Sequence, residues 1–241
     1  MKKTIGILGG MGPEATAYFF GLIIKNTTAR CDQEHIPIII WNNPKIPPRT
    51  CAILGRGPTP WPLLIEGVEI LRRAGADFVV MPCITAHYFY PQIAAKSRLP
   101  VVSLIEESLL YAKMNFPGLK KAGLIASTGT VKSKLFHRSF AQRGIEVIAP
   151  TNREQEKVME AIFGEKGVKA GFTTGKPRRL ILGIARRLIA RGAEAIIAGC
   201  TEIPLVLKET DLPVPFIEPM RIAALACIKK AGYKIKKGGS E

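Results

Sequence analysis

The feature that most constrains this chain is an internal repeat, which places the same pattern at two positions 117 residues apart. Residues 76–83 and 193–200 are each a short apolar run that ends on a cysteine. The glycine-rich opening segment recurs at the same spacing, since Ile5 aligns with Ala122. We therefore infer that the chain is a duplication of one β/α unit.

Short apolar runs alternate with helix-patterned segments. In the first half, strands are predicted at residues 4–8, 36–41, 77–82 and 101–105, and helices at 14–25, 63–74, 85–96 and 106–115. Such alternation favours parallel strands joined by right-handed helical crossovers. The predicted fold is therefore α/β, with two pseudo-symmetric domains, each a mostly parallel sheet flanked by helices.

The end of the chain sets the predicted domain boundaries. A third pair of matching segments ends the repeat, and its second member, residues 212–218, is followed by a predicted helix at residues 220–231. We expect this helix to complete the N-terminal sheet. The N-terminal half would then be discontinuous, residues 1–104 plus 207–241, and residues 105–206 would form the C-terminal half.

Composition excludes several classes of protein. No apolar run reaches the roughly 18 residues that a membrane-spanning helix needs. The N-terminus runs directly into a strand pattern without the features of a signal peptide, so we expect a cytoplasmic protein. The five cysteines are an odd number and lack metal-binding spacing, which argues against a disulfide framework and a metal site.

The formal net charge of +16 has two interpretations. Basic residues are dispersed along the predicted helices, with one dense run at residues 229–237, and solvated helix faces explain this pattern simply. Alternatively, an electropositive field draws small anionic substrates to the protein. Neither interpretation requires nucleic acid, and no nucleic-acid or membrane partner is predicted.

The two cysteines of the repeat, Cys83 and Cys200, end predicted strands where α/β proteins place their sites. Either one alone fits a buried core residue. As a pair at equivalent positions, they can face each other across one cleft if a pseudo-two-fold axis relates the halves. One thiolate would then remove a proton from a carbon centre while the opposite thiol donates one, which inverts configuration without a redox or pyridoxal cofactor.

Other motifs near these strand ends leave alternatives open. The glycine loop at residues 9–13 fits a dinucleotide fingerprint, but no acidic residue ends the second strand, so a loop lining an anionic-substrate cleft is favoured. The proline-rich connection at residues 42–62 is long enough to be a binding loop. Thr85 and Thr201 are candidates for helix caps, for substrate hydrogen bonds, or for both. His87 is either a structural histidine or a modulator of the nearby thiol.

Residues 5–13, 81–87 and 198–202 resemble the signature segments of the aspartate/glutamate racemase family, and the aspartate racemase branch most. The resemblance covers essentially the whole chain. It implies a two-domain, pseudo-symmetric α/β fold, a homodimer, and an isomerase that needs no pyridoxal phosphate or other cofactor. The implied reaction is racemisation of an acidic amino acid, aspartate first and glutamate second, by a cysteine pair.

The resemblance also implies roles for individual residues. Cys83 and Cys200 would be the two acid/base thiols. Arg49 would hold the substrate's side-chain carboxylate through its guanidinium, and Lys169 would close on the same group from a mobile segment. The further positions implied to line the substrate are Met11, Thr85, Thr128, Thr130 and Thr201.

Two positions depart from the family pattern. Ile84 stands where the family has an asparagine that helps to orient the substrate, and Glu218 stands where aspartate is common. Two alternatives stay open: a catalytically weak homologue that binds small anions, suggested by Ile84, and a related activity of the superfamily, either on another carboxylate or through another carbanion chemistry such as hydantoin racemisation or maleate isomerisation. We expect Ile84→Asn to raise turnover with aspartate.

Overall fold

A computed structural model describes residues 1–236 of the chain. Residues 237–241, which end both the predicted basic run and the predicted N-terminal half, lie outside the described residues. The strands are β1 (Ile5–Gly9), β2 (Ile38–Asn42), β3 (Phe78–Val80), β4 (Val101–Val102), β5 (Lys121–Ile125), β6 (Glu146–Ile148), β7 (Ala195–Ala198) and β8 (Phe216–Ile217). The α-helices are α1 (Pro13–Asn26), α2 (Arg49–Ile53), α3 (Trp61–Arg73), α4 (Tyr90–Lys96), α5 (Leu104–Asn115), α6 (Thr128–Ser133), α7 (Leu135–Ala141), α8 (Asn152–Phe163), α9 (Lys176–Ala190) and α10 (Pro219–Lys230).

The strands form two four-stranded sheets with the same order, β2-β1-β3-β4 and β6-β5-β7-β8. Every strand pair in both sheets is parallel. The central pairing even has the same register, since Ile5 pairs with Phe78 and Ala122 pairs with Ala195. The structure therefore confirms the predicted α/β fold with two pseudo-symmetric parallel sheets.

Helices cover both faces of the sheets, which is why the central strands are apolar throughout. Helices α3 and α4 enclose a core on the outer face of the first sheet, and α8 and α9 enclose one on the outer face of the second. A third core lies between the two sheets and combines Phe19, Phe78, Phe136 and Ile197. Helices α1, α5, α7 and α10 contribute to it, so one apolar interior joins the two halves.

The last strand and the last helix associate with different sheets. Strand β8 pairs with β7, Ile196 opposite Phe216, so it belongs to the C-terminal sheet, although the sequence analysis placed it in the N-terminal half. Helix α10 packs against α5 and against α1, which contacts β1 of the N-terminal sheet. The division into residues 1–104 plus 207–241 and residues 105–206 stays a prediction.

Two predicted segments differ in detail. The connection at residues 42–62 is not wholly irregular, since it contains α2 and ends where α3 begins at Trp61. The helix predicted at 85–96 begins as a 3-10 helix, Ile84–Phe89, before α4. Pro91 accounts for this change because it lacks the N–H that a continuous α-helix would use. Within residues 1–236, no helix is both long and apolar enough to cross a bilayer.

Candidate active site

The two cysteines of the repeat occupy equivalent positions just beyond the central strands. Cys83 follows β3 after a two-residue extension, and Cys200 follows β7 after Gly199. Their residues are only 5% and 6% exposed, and both side chains are free thiols. The structure thus places both thiols at the carboxyl ends of parallel strands, where α/β proteins form their sites.

Lys169 links the two thiols to one cleft. It lies on the 3-10 helix Val168–Ala170, between α8 and α9. Burial alone would lower the pKa of its ammonium, but the negative charges of Glu202, Cys200 and Cys83 raise this pKa above its usual value. Glu202 also accepts a hydrogen bond from Cys200 Sγ, so this thiol and Lys169 share one carboxylate.

The glycine loop after β1 forms another wall of this cleft. A Cβ built on Gly12 would lie 3.2 Å from Lys169 Nζ, so the loop contacts the lysine directly. Met11 beside it is buried. Gly10 has a φ of 91°, and a Cβ there would lie 2.3 Å from the Asn43 carbonyl carbon. This glycine therefore permits the backbones that follow β1 and β2 to pack in direct contact.

Arg49, the first residue of α2, is held by backbone carbonyls. Its Nη1 donates to the carbonyl oxygens of Ile46 and Pro47, at 3.1 and 3.0 Å, and its Nη2 donates to Met11 O at 2.9 Å. These bonds tie the proline-rich connection to the glycine loop. Two donors of the guanidinium remain available: the second Nη2 hydrogen and the Nε–H. The Nε atom is buried and has no hydrogen-bond partner. Two such donors on one guanidinium suit a carboxylate.

A group of hydroxyls lies where the two halves meet. Thr85 Oγ1 is 3.0 Å from both Ser127 Oγ and Thr130 Oγ1, and all three side chains are buried. Gly129 permits this approach because a Cβ there would lie 2.7 Å from Thr50 Oγ1 and 3.0 Å from Thr85 Cγ2. Thr85 therefore bonds to other hydroxyls rather than capping a helix. The sequence analysis did not identify Ser127.

The two remaining predicted threonines are also engaged. Thr128 is only partly buried; its hydroxyl accepts a 3.3 Å bond from Gln155 Nε2, and its backbone N–H donates to Met159 Sδ. Thr201 donates its hydroxyl to Glu202 Oε2 at 3.1 Å and caps no helix. The structure thus accounts for each hydroxyl by a contact within the protein.

Glu202 is the residue that the sequence analysis missed. Its side chain is 5% exposed, one carboxylate oxygen is paired with Lys169 Nζ, and the other accepts a 2.9 Å hydrogen bond from Cys200 Sγ. Burial raises the pKa of the Cys200 thiol well above its ordinary value; Glu202 raises this pKa further, and Lys169 opposes it. The repeat contained a signal that could have identified Glu202. At the position where the first half has the neutral Thr85, the second half has this charged residue.

His87 is a structural histidine. Its Nε2 accepts the Leu104 N–H at 3.0 Å, so the proton resides on Nδ1, which donates to the Cys83 carbonyl at 2.9 Å. Burial lowers the pKa of this imidazole from 6.5 to about 4, so the ring is neutral at pH 7. His87 therefore fixes the backbone of Cys83 against the start of α5 and does not contact the thiol.

Ile84 packs in the apolar core. It is 1% exposed, and its side chain belongs to the apolar core between the two sheets. Among residues 1–236, no group of three or more histidine, cysteine, aspartate and glutamate side chains could hold a metal ion. The described cleft therefore combines two thiols, a carboxylate, two cationic side chains and several hydroxyls, a set suited to moving protons on a small anion.

Comparison with known proteins identifies matches to this sequence and to this fold. Residues 8–227 match the model of the Asp/Glu/Hydantoin racemase family. The broad specificity amino-acid racemase RacX of Bacillus subtilis (strain 168) is 26% identical over 94% of this chain and 95% of its own length. The glutamate racemase of Aquifex pyrophilus is 28% identical over 60% of this chain and 54% of its own. The structure of Picrophilus torridus aspartate racemase superposes with a TM-score of 0.86 and 28% identity, over 98% of this chain and 96% of that one.

Proposed function

This chain belongs to the Asp/Glu/hydantoin racemase family, and from that premise we propose that it racemises an acidic amino acid without a cofactor. Aspartate is the proposed substrate and glutamate the second choice. Cys83 and Cys200 are the proposed acid/base pair. The observation that carries this proposal is that two buried free thiols occupy matching strand ends of the two halves, and that one of them is hydrogen-bonded to the carboxylate paired with Lys169.

The cleft supports a two-sided proton transfer. One thiolate takes the α-proton of the bound amino acid, and the thiol from the other half delivers a proton to the opposite face. This transfer requires the α-carbon to lie between the two sulfur atoms, a position that the pseudo-symmetry of the strand ends favours. Backbone amides of the glycine loop and the hydroxyl of Thr85 are suited to stabilise negative charge on the deprotonated substrate.

Charge supports a dicarboxylic substrate. Arg49 keeps two donors, one of them buried without a partner, and these fit one carboxylate. Lys169 offers an ammonium on the wall of the cleft that contacts Gly12. We propose that these two side chains hold the side-chain carboxylate, as the family resemblance implies. We also propose that the protein is cytoplasmic and, from the same resemblance, that it is a homodimer. Light scattering after size-exclusion chromatography tests the dimer.

A wider substrate range is the second candidate. Lys169 is already paired with Glu202, so its charge is partly satisfied before substrate binds. A relative named as a broad specificity amino-acid racemase matches nearly the whole chain. If this candidate is correct, amino acids that lack a side-chain carboxylate are racemised at rates similar to that of aspartate.

The test is α-proton exchange in deuterium oxide on a panel of acidic and neutral amino acids, without added cofactor. We expect exchange in both enantiomers of aspartate. We expect Cys83→Ser and Cys200→Ser each to lower the rate by about 100-fold or more, the usual share of a general acid or base. Cys227→Ala is the matched control, because this buried thiol belongs to the core between the sheets. Full activity in either cleft variant would refute the cysteine-pair mechanism.

A further inference from the structure

Glu202 connects a cation to a thiol. Its Oε1 is paired with Lys169 Nζ, and its Oε2 accepts hydrogen bonds from Cys200 Sγ at 2.9 Å and from Thr201 Oγ1 at 3.1 Å. The side chain is almost fully buried, so these contacts determine the environment of its charge. A change at Lys169 is therefore transmitted through one carboxylate to the proton of Cys200.

The first half has no equivalent group. The repeat aligns Glu202 with Thr85, two residues beyond Cys83. The Thr85 hydroxyl bonds to Ser127 and Thr130 and carries no charge. The two strand ends are therefore equivalent in backbone but unequal in charge, because a carboxylate accepts a hydrogen bond from Cys200, whereas the uncharged Thr85 occupies the matching position in the first half.

The surroundings of Cys200 favour the protonated form of its thiol in the free protein. Burial is the largest effect that raises the pKa of this thiol, and the adjacent carboxylate of Glu202 adds to it. The positive charge of Lys169, from the segment before α9, opposes both effects on the pKa of Cys200. In the free protein Glu202 is paired with Lys169, and the Cys200 thiol keeps its proton and donates it in a hydrogen bond to Glu202 Oε2.

We propose that Glu202 is a positioning residue that takes up the Cys200 proton when the substrate's side-chain carboxylate binds Lys169. The inference rests on the proposed function. In this step the S–H bond of Cys200 breaks, its electron pair stays on sulfur, and the proton forms an O–H bond with Glu202 Oε2. The charge of the Cys200–Glu202 pair is unchanged, so the step brings no net charge into the buried site.

Because of this coupling, Cys200 becomes a base only after the substrate has bound. A dicarboxylic amino acid competes with Glu202 for Lys169, raises the proton affinity of Glu202 and thereby activates Cys200 as a base. An amino acid without a side-chain carboxylate leaves the Lys169–Glu202 pair intact. Its deprotonation by Cys200 is then slow, and the cleft selects acidic substrates at the proton-transfer step as well as at binding.

The first experiment follows the thiols directly and needs no turnover. Cysteine is labelled with carbon-13 at Cβ, and NMR follows each Cβ shift with pH in the wild type and in Glu202→Gln, with Cys200→Ser for assignment. We expect Glu202→Gln to lower the midpoint of Cys200 by about one pH unit or more, because the adjacent negative charge is removed. The Cys83 midpoint should move far less. An unchanged Cys200 midpoint would overturn the proposal.

The second experiment separates proton transfer from a structural role. Because the two enantiomers are equally stable, kcat/KM must fall equally in both directions, and we expect a loss of about 100-fold in Glu202→Gln. The substrate α-deuterium isotope effect should rise for the enantiomer that Cys200 deprotonates and fall towards unity for the other. Isotope effects that stay as in the wild type for both enantiomers would reduce Glu202 to a structural residue.

Two further variants control this experiment. Glu218→Gln removes another carboxylate, a half-buried one that accepts a 2.8 Å bond from Tyr18 Oη, and should leave both isotope effects unchanged. Glu202→Asp keeps the charge and should restore part of the lost rate. If the wild type racemises no amino acid while Glu202→Gln still shifts the Cys200 midpoint, the proposed function fails but the coupling between Glu202 and Cys200 stands.

Discussion

The buried imidazole of His87 should make the protein sensitive to mild acid. Its pKa is lowered from 6.5 to about 4 by burial, so the unfolded chain binds a proton more readily than the folded one between these values. Stability from this group is therefore complete above about pH 6.5 and is lost as the pH falls towards 4. Applied to this one group, linkage gives a loss of about 2 kcal/mol between pH 7.5 and pH 5.

Urea unfolding at these two pH values measures this loss, and the matched variants isolate the residue. In His87→Gln the change in unfolding free energy between the two pH values should be about 2 kcal/mol smaller than in the wild type. His137→Gln should reduce it less, because that imidazole is only partly buried. If His87→Gln does not fold, NMR of the wild-type imidazole decides: a ring that titrates near pH 6.5 in the folded protein would refute the reasoning.

Three substitutions in and around the cleft give further tests. Gly129→Ala should cost about 1–3 kcal/mol in urea unfolding and slow racemisation, because the new methyl group would clash with Thr50 and Thr85. Ile84→Asn should lower the free energy of unfolding by about 3 kcal/mol or more and should not raise aspartate turnover. The apolar control Ile84→Val should lower the free energy of unfolding by only about 1 kcal/mol. A stable Ile84→Asn variant that turns over aspartate faster would support the expectation from the sequence instead. Arg49→Lys should raise KM for aspartate about tenfold or more, because lysine has no planar fork of donors; an unchanged KM would remove Arg49 from the site.

The fold followed from the sequence because the repeat preserves backbone features. Apolar runs and glycine turns recur at one spacing, and the structure pairs Ile5 with Phe78 and Ala122 with Ala195 accordingly. The sheet of β8 was not predictable in the same way. Its two residues are equally apolar in either sheet, and only packing across the chain decides which strand it joins.

The site was predictable to the extent that it repeats. The two cysteines were identified because they share a spacing, and the resemblance supplied Arg49 and Lys169. Glu202 was missed because its significance depends on a lysine 33 residues earlier in the chain, which no local pattern reveals. Ile84 was expected beside the substrate because it follows Cys83, whereas in the structure it begins the 3-10 helix Ile84–Phe89 and its side chain packs in the core between the sheets.

The apolar interior shared by the two sheets couples the evolution of the two copies of the repeat. Each copy contributes one thiol, packed in the core on the outer face of its own sheet, and the interior between the sheets contains side chains of both copies. A substitution that shifts the packing of one copy therefore changes the distance across which a proton must pass, even if the thiol of that copy does not move. Two units that arose by duplication can then no longer diverge independently, because a change accepted in one selects which changes the other can accept.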